Sequence, residues 1–200
     1  MEQIIRIGLP IYFVLYFGIA FVFKSMVVAK RIGKSPLVLP KDDSTYGLIG
    51  LYFKITMVGL FLYSIMYSIV PNSYDWLLPI RIIENRSIKY LGFGILLFAL
   101  IWTIISQNQM KNSWRMGIDL ETKTELITNG LFGVSRNPIF FGMILSLIGL
   151  FLLTPNVWTL IFMILGYVLI QIQIRLEEEF LNKQHGEKYQ KYQKKVRRLI

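Results

Sequence analysis

The chain has 200 residues, of which 54% are hydrophobic and only 17% are charged, and its net charge is +10. A soluble domain usually carries more charge, so this composition indicates a membrane protein. With no Cys and one His, the chain excludes disulfides, Cys nucleophiles, thiolate metal sites and multi-histidine metal centres, and we expect no metal.

Apolar runs long enough to cross a bilayer follow one another along the chain. The first covers residues 7–23, between Arg6 and Lys24. It has no small-residue cleavage site, so we expect it to be retained as a helix rather than removed as a signal peptide. The second and third runs cover residues 46–70 and 88–106. These runs predict three membrane spans before the polar segment of residues 107–135.

Residues 137–174 contain no charged side chain at all. As one helix they would be about 57 Å long, roughly twice the hydrocarbon thickness of a bilayer. Thr154-Pro155-Asn156 is a natural break, because Pro cannot donate to a continuing helix and Asn favours turns. We therefore predict a hairpin of two spans, residues 137–154 and 157–175, whose charged ends meet at one membrane surface.

The C-terminal part is polar and basic. His185-Gly186 is expected to end the fifth helix, and the spacing of Tyr189, Tyr192 and Val196 predicts a short amphipathic helix at the interface. The fold class is thus all-α, a polytopic membrane helix bundle with about five transmembrane helices plus a C-terminal amphipathic helix. We expect a single membrane domain, residues 1–200, in which residues 1–106 hold the first three spans and residues 107–200 hold the polar loop, the hairpin and the C-terminal segment.

The distribution of Lys and Arg predicts the orientation. With five spans, seventeen of these side chains, including Lys41 and Lys123, fall on one side and four on the other. We expect the richer side, which carries the C-terminus, to be cytoplasmic and the N-terminus to be outside. The basic cluster at residues 185–200 is expected to face anionic lipid headgroups, so the predicted partners are membrane lipids and not nucleic acid.

Charged side chains gather where the hairpin leaves the membrane. Arg175, Glu178 and Glu179 are three and four residues apart and share one helix face, while Gln173 and Glu177 share another. Charges at this depth are a functional-site hypothesis, but interfacial charges also commonly mark only the exit of a helix. Spacing alone leaves both alternatives open.

A specific order of motifs covers the C-terminal half. It runs ELITNGLF (residues 125–132), SRNPIFFG (residues 135–142), the apolar hairpin, Glu177-Glu178 and HGEKYQKY (residues 185–192). Over about residues 114–200 this order resembles the isoprenylcysteine carboxyl methyltransferase family and its relatives, the phospholipid N-methyltransferases. The resemblance implies an integral membrane enzyme that moves a methyl group from S-adenosylmethionine to a lipophilic or membrane-embedded acceptor, such as a prenylated molecule or a lipid.

The resemblance also implies site residues. The cofactor would lie in a cytoplasm-facing pocket that the loop within residues 107–135 lines and the C-terminal segment covers, with Glu177 at its polar end. Gln173 and Arg175 would contact the substrate. Arg136 or Arg175 could orient an anionic substrate, and Glu178 or Glu179 could act as the base for an amine. The other cofactor-binding residues would be Thr124, Glu125, Leu126, Ile127, Phe132, Asn137, Pro138, Ile139 and Phe140.

Four positions depart from the family pattern. Asn137 stands where the family has His, Phe132 and Phe140 stand for Tyr, and Gln173 stands for Arg. Asn137 can still donate and accept hydrogen bonds but cannot titrate near pH 7, and Gln173 argues against a prenylcysteine carboxylate as substrate. Two alternative functions are a membrane NADPH enzyme similar to the sterol reductases and a non-catalytic small transporter or scaffold.

Overall fold

The structure is a computed structural model that describes residues 2–38, 44–70, 73–117 and 124–200. In chain order the elements are α1 (Glu2–Phe17), a π-helical segment (Gly18–Phe23), α2 (Lys24–Ile32), β1 (Leu37–Val38), α3 (Thr45–Ile69), α4 (Ser73–Trp76), α5 (Arg86–Met110), β2 (Met116–Gly117), α6 (Pro138–Leu153), α7 (Val157–His185) and α8 (Glu187–Lys195), with 3-10 turns at Arg81–Ile83, Lys111–Ser113 and Gly130–Gly133.

The predicted all-α membrane bundle is confirmed. Four helical segments are long and apolar enough to cross a membrane, namely Glu2–Ile32, Thr45–Ile69, Arg86–Ser113 and Val157–His185. The fourth predicted span, residues 137–154, corresponds to α6, which is apolar but has 16 residues. It therefore reaches about 24 Å, less than the hydrocarbon core of about 30 Å.

The predicted break between α6 and α7 is confirmed, and it is buried. The Asn156 side chain caps α7 by accepting from the Thr159 N–H at 3.0 Å. The Ile80 N–H donates to the Pro155 carbonyl at 2.9 Å, so the segment after α4 covers the turn. Backbone polar groups in lipid must be satisfied within the protein. These bonds pair polar groups of the turn within the protein. The turn can therefore lie within the bundle, and α6 can be shorter than a full membrane span.

The first helix is longer than the hydropathy pattern predicts. It continues through Lys24, because that side chain is buried and its Nζ donates to Asn108 Oδ1 on α5 at 3.1 Å. Lys24 therefore belongs to the bundle, not to the loop in which the charge count places it. Lys41 and Lys123, which the same count uses, lie outside the described residues.

Packing of α5 against α6 is the most extensive helix contact in the described part of the chain. Gly92 permits it, since a Cβ there would lie 2.8 Å from the Gly149 carbonyl oxygen. The Trp102 indole donates to the Pro138 carbonyl at 2.9 Å, which fixes the first turn of α6 against α5. A parallel pair between β1 and β2 joins the segments that follow α2 and α5.

The C-terminal amphipathic helix is confirmed as α8, but its apolar face covers protein. α7 ends at His185 and the chain reverses at Gly186, whose φ is +53°. Tyr189 and Tyr192 are buried and pack with Leu126 in a cluster separate from the main core. The face that the spacing assigns to the membrane interface therefore contacts the polar loop.

Candidate functional site

A cavity of about 730 Å³, its open mouth included, lies between the loop before α6 and helix α8. We call it the loop cavity. Its walls combine apolar side chains, aromatic rings and polar groups from the end of α5, from α7 and α8, and from the loop that leads to α6. The lining includes Thr124, Glu125, Leu126, Ile127, Phe132, Arg136, Asn137, Glu177, Phe180, Leu181, Tyr189 and Tyr192.

A second cavity of about 1090 Å³, also counted with its opening, lies among α1, α3, α5, α6 and α7. We call it the helix cavity. It is lined by Tyr16, Phe53, Lys54, Met57, Thr103, Gln107, Ile139, Phe140, Met143, Gln173 and Glu177, among others. A deeper space of about 580 Å³ shares four of its lining residues and is almost wholly apolar. The helix cavity therefore extends toward the middle of the bundle.

Glu177 lies on the wall that the two cavities share, together with Met110, Arg115 and Gly117. The Glu177 side chain is half-buried, and its carboxylate makes no hydrogen bond and no ion pair with any residue that the structure describes. A carboxylate in such a place has its hydrogen-bonding capacity available. It can receive a positively charged or hydrogen-bonding group from a molecule in either cavity.

The neighbouring Glu178 has the opposite environment. It is buried, and its carboxylate accepts from Arg136 Nη2 at 2.8 Å, from Arg198 Nε at 3.1 Å and from Asn137 Nδ2 at 3.3 Å. The Arg136 and Glu178 side chains are 10% and 6% exposed. Glu178 lines neither cavity, because its carboxylate is directed at the start of α6 and at the C-terminal segment.

Arg136 and Asn137 bind the C-terminal segment to the start of α6. Arg136 Nη1 donates to the carbonyls of Gln193 and Val196 at 3.1 and 2.7 Å. Asn137 Nδ2 donates to the Arg198 carbonyl at 3.0 Å. Gln193 lies in the last turn of α8, and Val196 and Arg198 follow that helix directly, so these bonds hold α8 over the loop cavity.

The inner face of α8 is attached to the loop as well. The Tyr192 hydroxyl donates to the Phe132 carbonyl at 2.5 Å. Burial raises the pKa of Tyr192 to about 12, so the hydroxyl keeps its proton at neutral pH and remains a donor. Tyr189 is almost fully buried, and burial raises its pKa too. Two neutral phenol side chains thus form the cover of the loop cavity.

The structure brings most of the predicted site residues to one of the two cavities, and four lie elsewhere. Glu179 is exposed and pairs with Lys183 at 2.6 Å. Pro138 is buried against α5, and Glu178 is held by the arginines described above. Arg175 is exposed, and its Nη1 donates to the carbonyl and to Oε1 of Gln171, at 2.7 and 3.0 Å. The shared helix face predicted for Arg175 and Glu178 therefore does not place their charged groups together.

Several lining residues have no counterpart in the sequence analysis. Tyr16, Phe53 and Met57, from α1 and α3, line the helix cavity. An apolar side chain on a membrane helix gives the same sequence signal whether it faces lipid or a cavity, so no pattern identifies these residues. Tyr189 and Tyr192 do have a signal in their helical spacing, although it does not say what they cover.

A model of the phospholipid methyltransferase family matches residues 88–188 of this chain, about half of its length. The match begins in the first turn of α5 and ends in the first turn of α8. It includes Arg136, Asn137, Glu177 and the loop that lines the loop cavity. A comparison with curated proteins found no match.

Proposed function

We propose that the methyl donor of this protein is S-adenosylmethionine and that its acceptor is a lipophilic molecule in the membrane. The chain belongs to the phospholipid methyltransferase family and is by that membership a membrane methyltransferase. One observation carries the proposal. The carboxylate of Glu177 is unpaired among the described residues and stands on the wall between a loop cavity with polar groups and a largely apolar helix cavity. A water-soluble donor and a lipophilic acceptor require two such compartments with a common wall.

The residues of the loop cavity fit this donor. Glu177 offers a negative charge to its ammonium or sulfonium group, and the rings of Phe132 and Tyr189 offer flat surfaces to a planar base. When bound, S-adenosylmethionine would supply a methyl group on a positively charged sulfur and leave as a neutral thioether. Because such a leaving group needs no general acid, methyl transfer is compatible with a chain whose single His is His185.

The helix cavity fits a lipophilic acceptor. Its deep part is formed by apolar side chains such as Leu60 and Leu147, which suit a hydrocarbon chain. Its upper part carries Lys54, Gln107 and Gln173 near Glu177, which suit a polar head. Positioning two reactants in this way can contribute roughly 7–11 kcal/mol to the lowering of a barrier. We therefore assign the protein the work of alignment and of exclusion of water.

The buried ion pair receives a positioning role in this proposal. Arg136 and Glu178 hold α8 over the donor, and neither has to touch the reacting atoms. Gln173 and Glu177 are the proposed contacts to substrate and donor. The geometry does not support Arg175 as a substrate contact, because its guanidinium donates hydrogen bonds to Gln171 on the outside of α7.

Binding and transfer are tested separately. Purified protein in detergent should bind S-adenosylmethionine in a calorimetric titration and should not bind NADPH. Incubation with methyl-labelled donor and native membrane extract should then give a labelled lipophilic product, whose identification shows whether oxygen, nitrogen or sulfur accepts the methyl group. Binding of NADPH without binding of S-adenosylmethionine would overturn the proposal in favour of a reductase.

A further inference from the structure

The outer face of α8 is strongly basic. Lys188, Lys191 and Lys195 are three and four residues apart and lie on one stripe of the helix, and all three are exposed. Lys194 and Arg197 are exposed beside them and make no ion pair with the residues that the structure describes. Lys191 has a partner 3.8 Å away on the same helix, but both side chains are more than three-quarters exposed, so the pair is weak.

The basic face lies close to the membrane surface. The uncharged part of α7 ends at Ile174, and the chain reverses at Gly186. After α8 it returns to the bundle, because Arg198 bonds to Glu178 at 2.9 Å and Leu199 packs against the main apolar core. The C-terminal end of α8 is therefore the end nearest the lipid. It lies at the level of the charged headgroups, where α7 changes from apolar to polar residues.

The two faces of α8 contact different things. Tyr189 and Tyr192 on the inner face line the loop cavity, and the lysines on the outer face contact none of it. Whatever binds the outer face therefore also influences how long α8 stays over the cavity. Local opening of such a short, peripheral helix requires little free energy compared with global unfolding.

We propose that the outer face of α8 docks on anionic lipid headgroups and that this contact keeps α8 closed over the loop cavity. Lipid is the occupant that the structure favours, because the chain bearing these cations returns directly into the apolar core through Leu199. Each Lys or Arg near an anionic bilayer surface adds to the attraction, which decays within a Debye length. Anionic lipid would thus act as an activator of a methyl-donor site. The activation of the donor site by anionic lipid rests on the proposed function, whereas the docking of α8 on lipid does not.

The docking is tested by hydrogen–deuterium exchange on the full-length protein in nanodiscs, with no donor added. In a mixture of phosphatidylcholine and phosphatidylglycerol, the amides of residues 187–196 should exchange about tenfold more slowly than in phosphatidylcholine alone. The difference should shrink in high salt, because exposed charges are screened.

Two variants separate charge from side-chain identity. Replacing Lys188, Lys191, Lys194 and Lys195 with Gln should abolish the difference between the two lipids. Replacing the same four residues with Arg keeps the charge and should retain it. Equal exchange in both lipids, or a lipid effect that survives in the Gln variant, would overturn the proposal. The proposal would also be overturned if a soluble oligonucleotide, added to phosphatidylcholine nanodiscs, protected α8 as much as phosphatidylglycerol does. That result would assign the outer face to a nucleic acid.

The affinity for S-adenosylmethionine in the two kinds of nanodisc is the second readout. Because the apparent affinity rises with the fraction of molecules in which α8 is closed, we expect tighter binding with phosphatidylglycerol, by up to about tenfold. Protection of α8 by anionic lipid without any donor binding would refute the proposed function and leave the docking intact. Donor binding that is equal in both lipids, with α8 protected, would refute the link between docking and closure.

Discussion

Two adjacent glutamates have contrasting environments in this protein. Successive residues on an α-helix point about 100° apart, so Glu177 faces the two cavities while Glu178 faces the start of α6. Arg136 and Arg198 neutralise Glu178, and the carboxyl group of Glu177 has no hydrogen bond or ion pair with the described residues. The resemblance assigns only Glu177 to the donor, but residue spacing cannot show that the environments of the two glutamates differ, because the difference comes from residues about 40 and 20 positions away.

The first prediction concerns the free carboxylate. Glu177→Gln preserves the size of the side chain and removes its charge, so S-adenosylmethionine should bind about tenfold to a hundredfold more weakly, as expected for loss of a charged hydrogen bond. Calorimetry measures the change. Glu179→Gln is the matched control, since Glu179 is exposed and its one ion pair among the described residues is with Lys183 at 2.6 Å. Unchanged affinity in the Glu177 variant would exclude it as a donor contact.

The second prediction concerns the buried carboxylate. Glu178→Gln leaves the Arg136 guanidinium buried without a countercharge, which should lower the free energy of unfolding by about 3 kcal/mol or more. Arg198→Gln should have a much smaller effect, because the Arg198 side chain is 43% exposed and water can replace its contact. Thermal unfolding in detergent compares the two variants. Equal losses would show that Arg136 is not the main partner.

At the scale of elements, the close approach of α5 and α6 sets the position of the site. A Cβ on Gly92 would lie 2.7 Å from the Leu153 backbone nitrogen, whereas a Cβ on Gly94, on the same helix, meets nothing within 4 Å. Gly92→Ala should therefore destabilise the protein by about 1–3 kcal/mol, as overpacking does. Gly94→Ala should be neutral or stabilising, because Ala is the better helix former. Unfolding by sodium dodecyl sulfate measures both, and equal stabilities would contradict this packing.

Helix boundaries show which parts of the fold sequence can predict. The break at Pro155 and the end of α7 at Gly186 depend on local turn chemistry, and the sequence locates both. The continuation of the first helix through Lys24 and of α5 through Gln107 depends on bonds to Asn108 and Ala20, 84 and 87 residues away. A hydropathy window contains no information about such partners, so it ends each helix too early.

The same limit applies to the cavities. The loop cavity is formed largely by one stretch of chain, residues 124–192, and the ordered motifs there point to most of its wall. The helix cavity combines α1, α3, α5, α6 and α7, and its far wall carries no motif. The helix cavity results from the way in which helices of similar composition pack. No sequence motif indicates that packing.

At the scale of the whole molecule, the proposed function requires the loop cavity to face the compartment that holds the donor. We propose that one membrane domain, residues 1–200, carries the loop cavity at its cytoplasmic end and the turn between α6 and α7 near the opposite surface. The excess of Lys and Arg at the end with α8 supports this orientation. A donor made in the cytoplasm would then reach Glu177 directly, while the acceptor would arrive through the bundle.

Single-cysteine labelling tests this orientation cleanly, because the natural chain contains no Cys. Trp76, on α4 at the opposite end from α8, is 73% exposed, and Lys195 is exposed on α8. A membrane-impermeant maleimide should label Trp76→Cys in intact cells and should label Lys195→Cys only after permeabilisation. Labelling after denaturation provides the total for each variant. The reverse pattern would place the loop cavity outside, where a cytoplasmic donor has no access, and would contradict both the orientation and the proposed route of the donor.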